Sequence, residues 1–502
     1  MKQTISGFTH PFAVGHRSHC LLLLLVMCCC QQVLGAEYDL VIANGRVMDP
    51  ESGLDGVRNI GITEGKIEAI SEVSLDGEEE IDATGLVVAP GFIDLHAHGQ
   101  DPLSRSFQAA DGVTTALELE IGVLPVSDWL ESQRGTAIIN FGATAGHLAA
   151  RYNQLSGESI GNPVTQGALT GERTIDFAGY VPDQQGIRGL LERLEQGLLQ
   201  GGLGIGMGIS YTPGASHSEI FQVFKLAARY QVPVFVHLRN SAQTGGDVLA
   251  PLQEVVSNAV SLNAPLHVVH LNSSLDKLAP TAMEMIRGAR NLGADITTES
   301  YPYTAGSTRI ESAIFENYQG DYSQLQWTET GERLNAETFA QYRRQGGWVI
   351  IHGRDEADNR WLVAQPDVMV ASDGVPFVGG ASHPRSAGTF SKILGHYVRE
   401  ESALTLMQAL AKMTIQPARR LENFAPAMAD KGRIQDGADA DITVFDPDTI
   451  ADQASYLDPA RPSIGIAHVL VNGIPVILDG ELQQGIYPGQ AIRSALSQRG
   501  QD

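Results

Sequence analysis

Past residue 30 the chain has no cysteine; the four it contains, Cys20, Cys28, Cys29 and Cys30, are confined to the N-terminal segment. Downstream of that segment, disulfides, cysteine-liganded zinc and a cysteine nucleophile are all excluded. Basic residues are also scarce: 34 Lys and Arg stand against 58 Asp and Glu, a net charge of −24 at pH 7. Phosphate recognition needs a basic face, so nucleic acid is excluded as a partner, and the acidity reads as a solvated surface. The N-terminal apolar run, Leu21 to Met27, is too short for a membrane span. With Lys2, His16 and Arg17 before it and Gly35 and Ala36 after it, residues 1–36 read as a secretory signal. Met27 ahead of Cys28 disfavours a lipoprotein signal. Cleavage near Ala36 gives a cysteine-free exported protein, periplasmic or secreted, which suits an oxidising compartment.

What is present exceeds one small core. The 502 residues are 43% hydrophobic and 18% charged, and 54 glycines fit many tight connections. Residues 37–90 read as short strands punctuated by Asn44-Gly45 and Glu64-Gly65. From 91 to 415, strand-like runs alternate with helical stretches. Candidate strands are Thr114–Glu120, Ala137–Phe141, Gly204–Ile209, Val234–His237, His267–His270, Ile296–Thr298, Val349–His352 and Val368–Ser372. Candidate helices are Gly186–Gln200, Ser218–Tyr230 and Ala279–Leu292. This alternation predicts an α/β fold of parallel βα units, most simply a (β/α)8 barrel. Residues 416–502 return to strands and turns. Each terminal segment is too small for its own core, so the two are expected to pair in one small β-sandwich. The polar segment from Ser307 to Gly347 reads as an irregular excursion, either a lid or plain surface.

The chemistry gathers at the ends of the apolar runs. Val88 to His98 carries the backbone into His96-Ala97-His98, and residues i and i+2 of a strand share a face. Both imidazoles can converge on one metal ion. Glu118 and Glu120 end the next run with the same spacing. His237 and His270 each close a middle run, and Asp373 follows a late one. Singly, a strand-end histidine bonds a neighbouring backbone and an Asp before Gly374 forms a turn. Together, and placed where a barrel gathers its catalytic groups, they describe a binuclear metal site.

Pro90-Gly91-Phe92-Ile93-Asp94-Leu95-His96-Ala97-His98 and Lys431-Gly432-Arg433-Ile434…Gly437-Ala438-Asp439-Ala440-Asp441 resemble the amidohydrolase superfamily. Ser300-Tyr301-Pro302-Tyr303-Thr304-Ala305-Gly306-Ser307-Thr308, Ala371-Ser372-Asp373-Gly374 and the run His383 to Phe390 are similar to its D-aminoacylase group. The resemblance implies His96, His98, His237 and His270 as metal ligands and Asp373 as catalytic acid/base. It implies Arg385 as the binder of the substrate α-carboxylate, whose plain alternative is a surface ion pair. Tyr211, Tyr301 and Tyr303 follow as substrate contacts. Where the group has a metal-binding Cys, this chain has Ile121, so a carboxylate takes that role, and Glu120 is preferred over Glu118. Where the group has a basic residue after the last metal histidine, this chain has Asn272. The implied cofactor is Zn²⁺, one or two ions, with Mn²⁺ and Fe²⁺ open. The implied reaction is hydrolysis of a small N-acyl-D-amino acid. A D-residue dipeptidase acting on short peptides, or a cyclic amidase, is the alternative; a non-catalytic relative would have lost ligands that this chain keeps.

Overall fold

The computed structural model describes residues 37–164, 176–242, 247–316 and 318–499. The proposed secretory signal, with all four cysteines, lies outside the described residues. Among the described residues no helix is long and apolar enough to cross a membrane.

Eight parallel strands form the centre: β1 (Phe92–Asp94), β2 (Val113–Val123), β3 (Asn140–Gly146), β4 (Ile205–Gly208), β5 (Val234–His237), β6 (Leu266–Val268), β7 (Ile296–Ser300) and β8 (Met369–Val370). They lie in chain order, as βα units dictate. The ring closes between β8 and β1. There Ala97 bridges Gly374, and Asp94 accepts hydrogen bonds from the Ser372 backbone N–H and hydroxyl. The Asp of the His-x-His run therefore fastens the barrel.

The helices follow the apolar periodicity closely. Gln184–Leu199 starts where Asp183 caps Gly186, and His217–Tyr230 starts where Ser216 caps Glu219. Behind β3, Glu219 accepts hydrogen bonds from His147 (2.7 Å) and Arg151 (2.6 Å), with all three side chains fully buried.

Two strand expectations are corrected. The third barrel strand is Asn140–Gly146 rather than Ala137–Phe141. Its Gly142-Ala143-Thr144-Ala145-Gly146 run has little β-propensity, yet burial holds it in the sheet. Val349–His352 is not a barrel strand. Trp348–Ile351 is the middle of a separate three-stranded antiparallel sheet with Gly306–Arg309 and Leu325–Trp327. A four-residue apolar run looks the same in either setting. The segment expected to be irregular is thus an ordered cap, with a core of its own that includes Phe315, Tyr318, Trp327, Phe339 and Tyr342.

The chain ends meet in one nine-stranded sheet, where Val87–Pro90 pairs antiparallel with Ile442–Phe445. The Lys431 to Asp441 motif is its rivet. Lys431 Nζ lies 2.6 Å from Asp441 and 2.8 Å from Asp439, and Asp441 also accepts Asn140 Nδ2 from β3. A buried ammonium with two carboxylates and further hydrogen bonds is well satisfied.

Candidate metal and substrate site

The C-terminal ends of β1, β2, β5 and β6, with the turn after β8, converge on Glu120. A bulge aims it. β2 and β3 pair at Glu118–Ala143 and next at Val123–Ala145, so β2 spends extra residues over this stretch. Gly122 makes the bulge possible: its φ is +68°, and a Cβ there would meet Thr144 Oγ1 at 2.5 Å.

The result is a carboxylate between two imidazole pairs. Glu120 Oε2 lies 3.0 Å from His96 Nε2 and 2.9 Å from His98 Nε2. Glu120 Oε1 lies 2.5 Å from His237 Nδ1 and 3.3 Å from His270 Nε2. Within the pairs, His96 and His98 nitrogens are 3.1 Å apart, and those of His237 and His270 are 3.0 Å apart. Asp373 Oδ1 completes the first group, 3.4 Å from His96 and 3.6 Å from His98. These form two overlapping donor sets, His96, His98, Glu120 and Asp373, and Glu120, His237 and His270, sharing the one carboxylate. Convergent imidazole and carboxylate donors of this kind fit divalent cations. Two of the site residues, His270 (φ 32°) and Asp373 (φ 52°), hold left-handed backbone, a strain common where side chains are aimed for function.

Electrostatics point the same way. Burial opposes charging His96, but Asp373, Glu120 and Glu299 outweigh it and hold the imidazolium form well above its ordinary range. For His98, burial is likewise outweighed, by Glu118 and Glu120, and the value is pushed up to about 10. Burial would raise Glu120, yet His237 and His96 hold it well below the carboxylate range. The pocket is a well of negative potential suited to a cation.

Glu118 stands behind His98, 2.9 Å from its Nδ1, not among the converging nitrogens. Two further residues, Glu299 and His267, do for His96 what Glu118 does for His98, and sequence reasoning missed them. Glu299 Oε1 is 2.6 Å from His96 Nδ1 and its Oε2 is 3.0 Å from His267 Nε2; His267 Nδ1 is 2.7 Å from the Thr297 hydroxyl. With a cation in place of the Nε2 proton of His96, the remaining protons have one simple arrangement. Thr297 donates to His267, His267 donates to Glu299, and His96 donates Nδ1–H to Glu299, leaving His96 Nε2 as a lone-pair donor. The available signal was Glu299 itself, an acidic residue in a buried barrel strand that had to be paired.

A cleft opens over the cluster, lined by His98, Glu120, His237, His270 and Asp373. Arg385 reaches it from the helix Arg385–Lys392 and is 1% exposed, so it is no surface ion pair. Its Nη2 forms an ion pair with Asp373 Oδ1 at 3.0 Å and donates to the Ser307 carbonyl (3.3 Å), while the buried Nε and Nη1 have no protein partner. Tyr211 lines the cavity, its hydroxyl 2.9 Å from Thr308 Oγ1. Tyr301 lies behind Arg385, with the Arg385 guanidinium 4.7 Å and the Arg354 guanidinium 4.9 Å from its ring centre. Tyr303 is placed away from the cavity, donating its hydroxyl to Asp452 at 3.0 Å. Asn272 also lies outside the lining and binds the Tyr301 carbonyl and Asn359, both at 2.9 Å.

Comparison with known proteins agrees with this geometry. The model of the Amidohydrolase family matches residues 79–164 and 212–477. An N-acyl-D-glutamate deacylase from Alcaligenes xylosoxydans xylosoxydans is 30% identical over 87% of this chain and 93% of its own length. A D-aminoacylase from the same organism is 27% identical over 88% and 94%. The crystal structure of N-acyl-D-glutamate deacylase from Bordetella bronchiseptica, complexed with zinc and a phosphonate mimic of the tetrahedral intermediate, superimposes with a TM-score of 0.76 at 26% identity, covering 91% of this chain and 99% of that one. The chain belongs to the amidohydrolase superfamily and, within it, to the D-aminoacylase group.

Proposed function

We propose that this protein is an exported, metal-dependent deacylase that hydrolyses the amide bond of N-acyl-D-amino acids, giving a carboxylate and the free D-amino acid. One observation carries the reading: Glu120 bridges two imidazole pairs while the Asp373–Arg385 pair stands at the same cavity. His96, His98, Glu120, His237 and His270 would hold one or two Zn²⁺ ions, and the same nitrogen and oxygen donors accept Mn²⁺ or Fe²⁺. When bound, the metal supplies Lewis acidity, acidifying a water and polarising the scissile carbonyl.

The chain's own groups supply the rest. Asp373 takes the proton from the attacking water and hands it to the amide nitrogen as the C–N bond breaks, so that a neutral amine leaves. Arg385, the buried cation paired with Asp373 at the cavity, offers its guanidinium to the α-carboxylate and orients the substrate against Asp373. The D configuration rests on the substrates in the names of the relatives.

The test is amine release by zinc-reconstituted protein from paired N-acetyl-D- and N-acetyl-L-amino acids, L-Xaa-D-Xaa dipeptides and a cyclic imide. Release confined to the acyl-D compounds is expected, abolished by chelation and restored by zinc. Cleavage of dipeptides alone, or ring opening alone, would replace the reading. Export is checked by cell fractionation and by sequencing the mature N-terminus, expected near Glu37.

A further inference from the structure

Within the deacylase reading, on which this inference rests, we infer that the cavity selects D-amino acids with uncharged, apolar side chains and rejects N-acyl-D-glutamate and N-acyl-D-aspartate. Six apolar residues share its lining: Ile121, Val164, Ile314, Trp348, Ile351 and Val375. Among the described residues, Arg385 is the one Lys or Arg that lines it. The substrate α-carboxylate uses that guanidinium, so among the described residues a side-chain carboxylate has no second Lys or Arg to meet.

The neighbouring cations are committed elsewhere. Arg309 pairs with Glu311 at 2.7 Å. Arg354 donates Nη2 to the Tyr301 hydroxyl (3.0 Å) and the Tyr303 carbonyl (2.9 Å). Neither lines the cavity. Asn272 carries no charge and holds backbone instead. Desolvating an unpaired anion is strongly unfavourable, whereas an apolar side chain gains by burial against six apolar neighbours. The acidic substrate in the name of the 30%-identical relative therefore does not transfer to this chain.

The test compares kcat/KM of the zinc-loaded protein for N-acetyl-D-leucine, -methionine, -glutamine, -glutamate and -aspartate. Leucine or methionine is expected to exceed glutamate by about 100-fold or more. Glutamine should exceed glutamate, since it has the same shape without the charge. Ile314→Lys, in a half-buried turn of the cap, should move the leucine-to-glutamate ratio toward glutamate by about 10-fold. Equal or better turnover of glutamate or aspartate overturns the inference. If no acyl-D substrate is turned over, the deacylase reading fails. Calorimetric binding of N-acetyl-D-leucine against N-acetyl-D-glutamate then decides the selectivity by itself, tighter binding of glutamate overturning it.

Discussion

Glu299→Gln isolates the hydrogen-bond chain behind His96 without changing the volume of the side chain. Glutamate accepts from both His96 Nδ1 (2.6 Å) and His267 Nε2 (3.0 Å). Glutamine has one acceptor and one donor at those two places, so one imidazole then faces an N–H. If His96 yields, its proton moves to Nε2, the atom 3.0 Å from Glu120, and the lone pair needed for a metal is lost. If His267 yields, its Nδ1 must donate to Thr297, whose hydroxyl turns away, and His96 loses a charged acceptor. Either route removes a hydrogen bond to a buried charge, worth about 1.5–3 kcal/mol, or about 10- to 100-fold in metal affinity. The assay is Zn²⁺ titration against a competing chromophoric chelator, with stoichiometry, and thermal melts of the metal-free proteins to separate folding from binding. A variant that binds Zn²⁺ within threefold of the parent would refute the reasoning.

Three further outcomes are expected. Burial would raise Glu219, but His147 and Arg151 hold it below the ordinary carboxylate value of 4.5. Its stabilisation is therefore present above about pH 4.5 and lost as pH falls through the lower folded value. Denaturant melts should show Glu219→Gln less stable than the parent by about 3 kcal/mol at pH 7, because Arg151 is left buried without its charge partner, with the gap closing below pH 4.5. Arg385→Lys should raise KM about 10-fold or more, since an ammonium cannot span both carboxylate oxygens and Asp373; steady-state kinetics decide it. Tyr303→Phe should leave kcat/KM within about threefold while lowering stability by about 1 kcal/mol, the worth of the bond to Asp452; a large kinetic loss would put Tyr303 back among the substrate contacts.

Much of the barrel was legible because its signals are local. Val-Phe-Val-His has the same limits in sequence and structure, and the helix His217–Tyr230 starts one residue from its expected position. The cap was not legible. Trp348–Ile351 has the composition of a barrel strand, and its partners lie in segments that read as polar loop. At the site, the i, i+2 spacing brought Glu118 and Glu120 into view but could not separate them; a bulge invisible in the residue pattern turns one toward four imidazole nitrogens and leaves the other bracing His98. Glu299 lies more than two hundred residues from His96, so nothing local in the sequence joins them.

The cap has a packed interior of its own, while the groups that would break the bond stand on the barrel strands and the turns that follow them. Part of the cavity's apolar wall, Ile314, Trp348 and Ile351, therefore belongs to a different stretch of chain from the groups proposed to cleave. Descendants of this protein could trade residues 306–351 for another lineage's version, or drift at Ile314 and Trp348, and acquire a new diet while the hydrolytic apparatus stayed as it was. A chimaera carrying a relative's cap would show whether appetite is heritable as a single cassette.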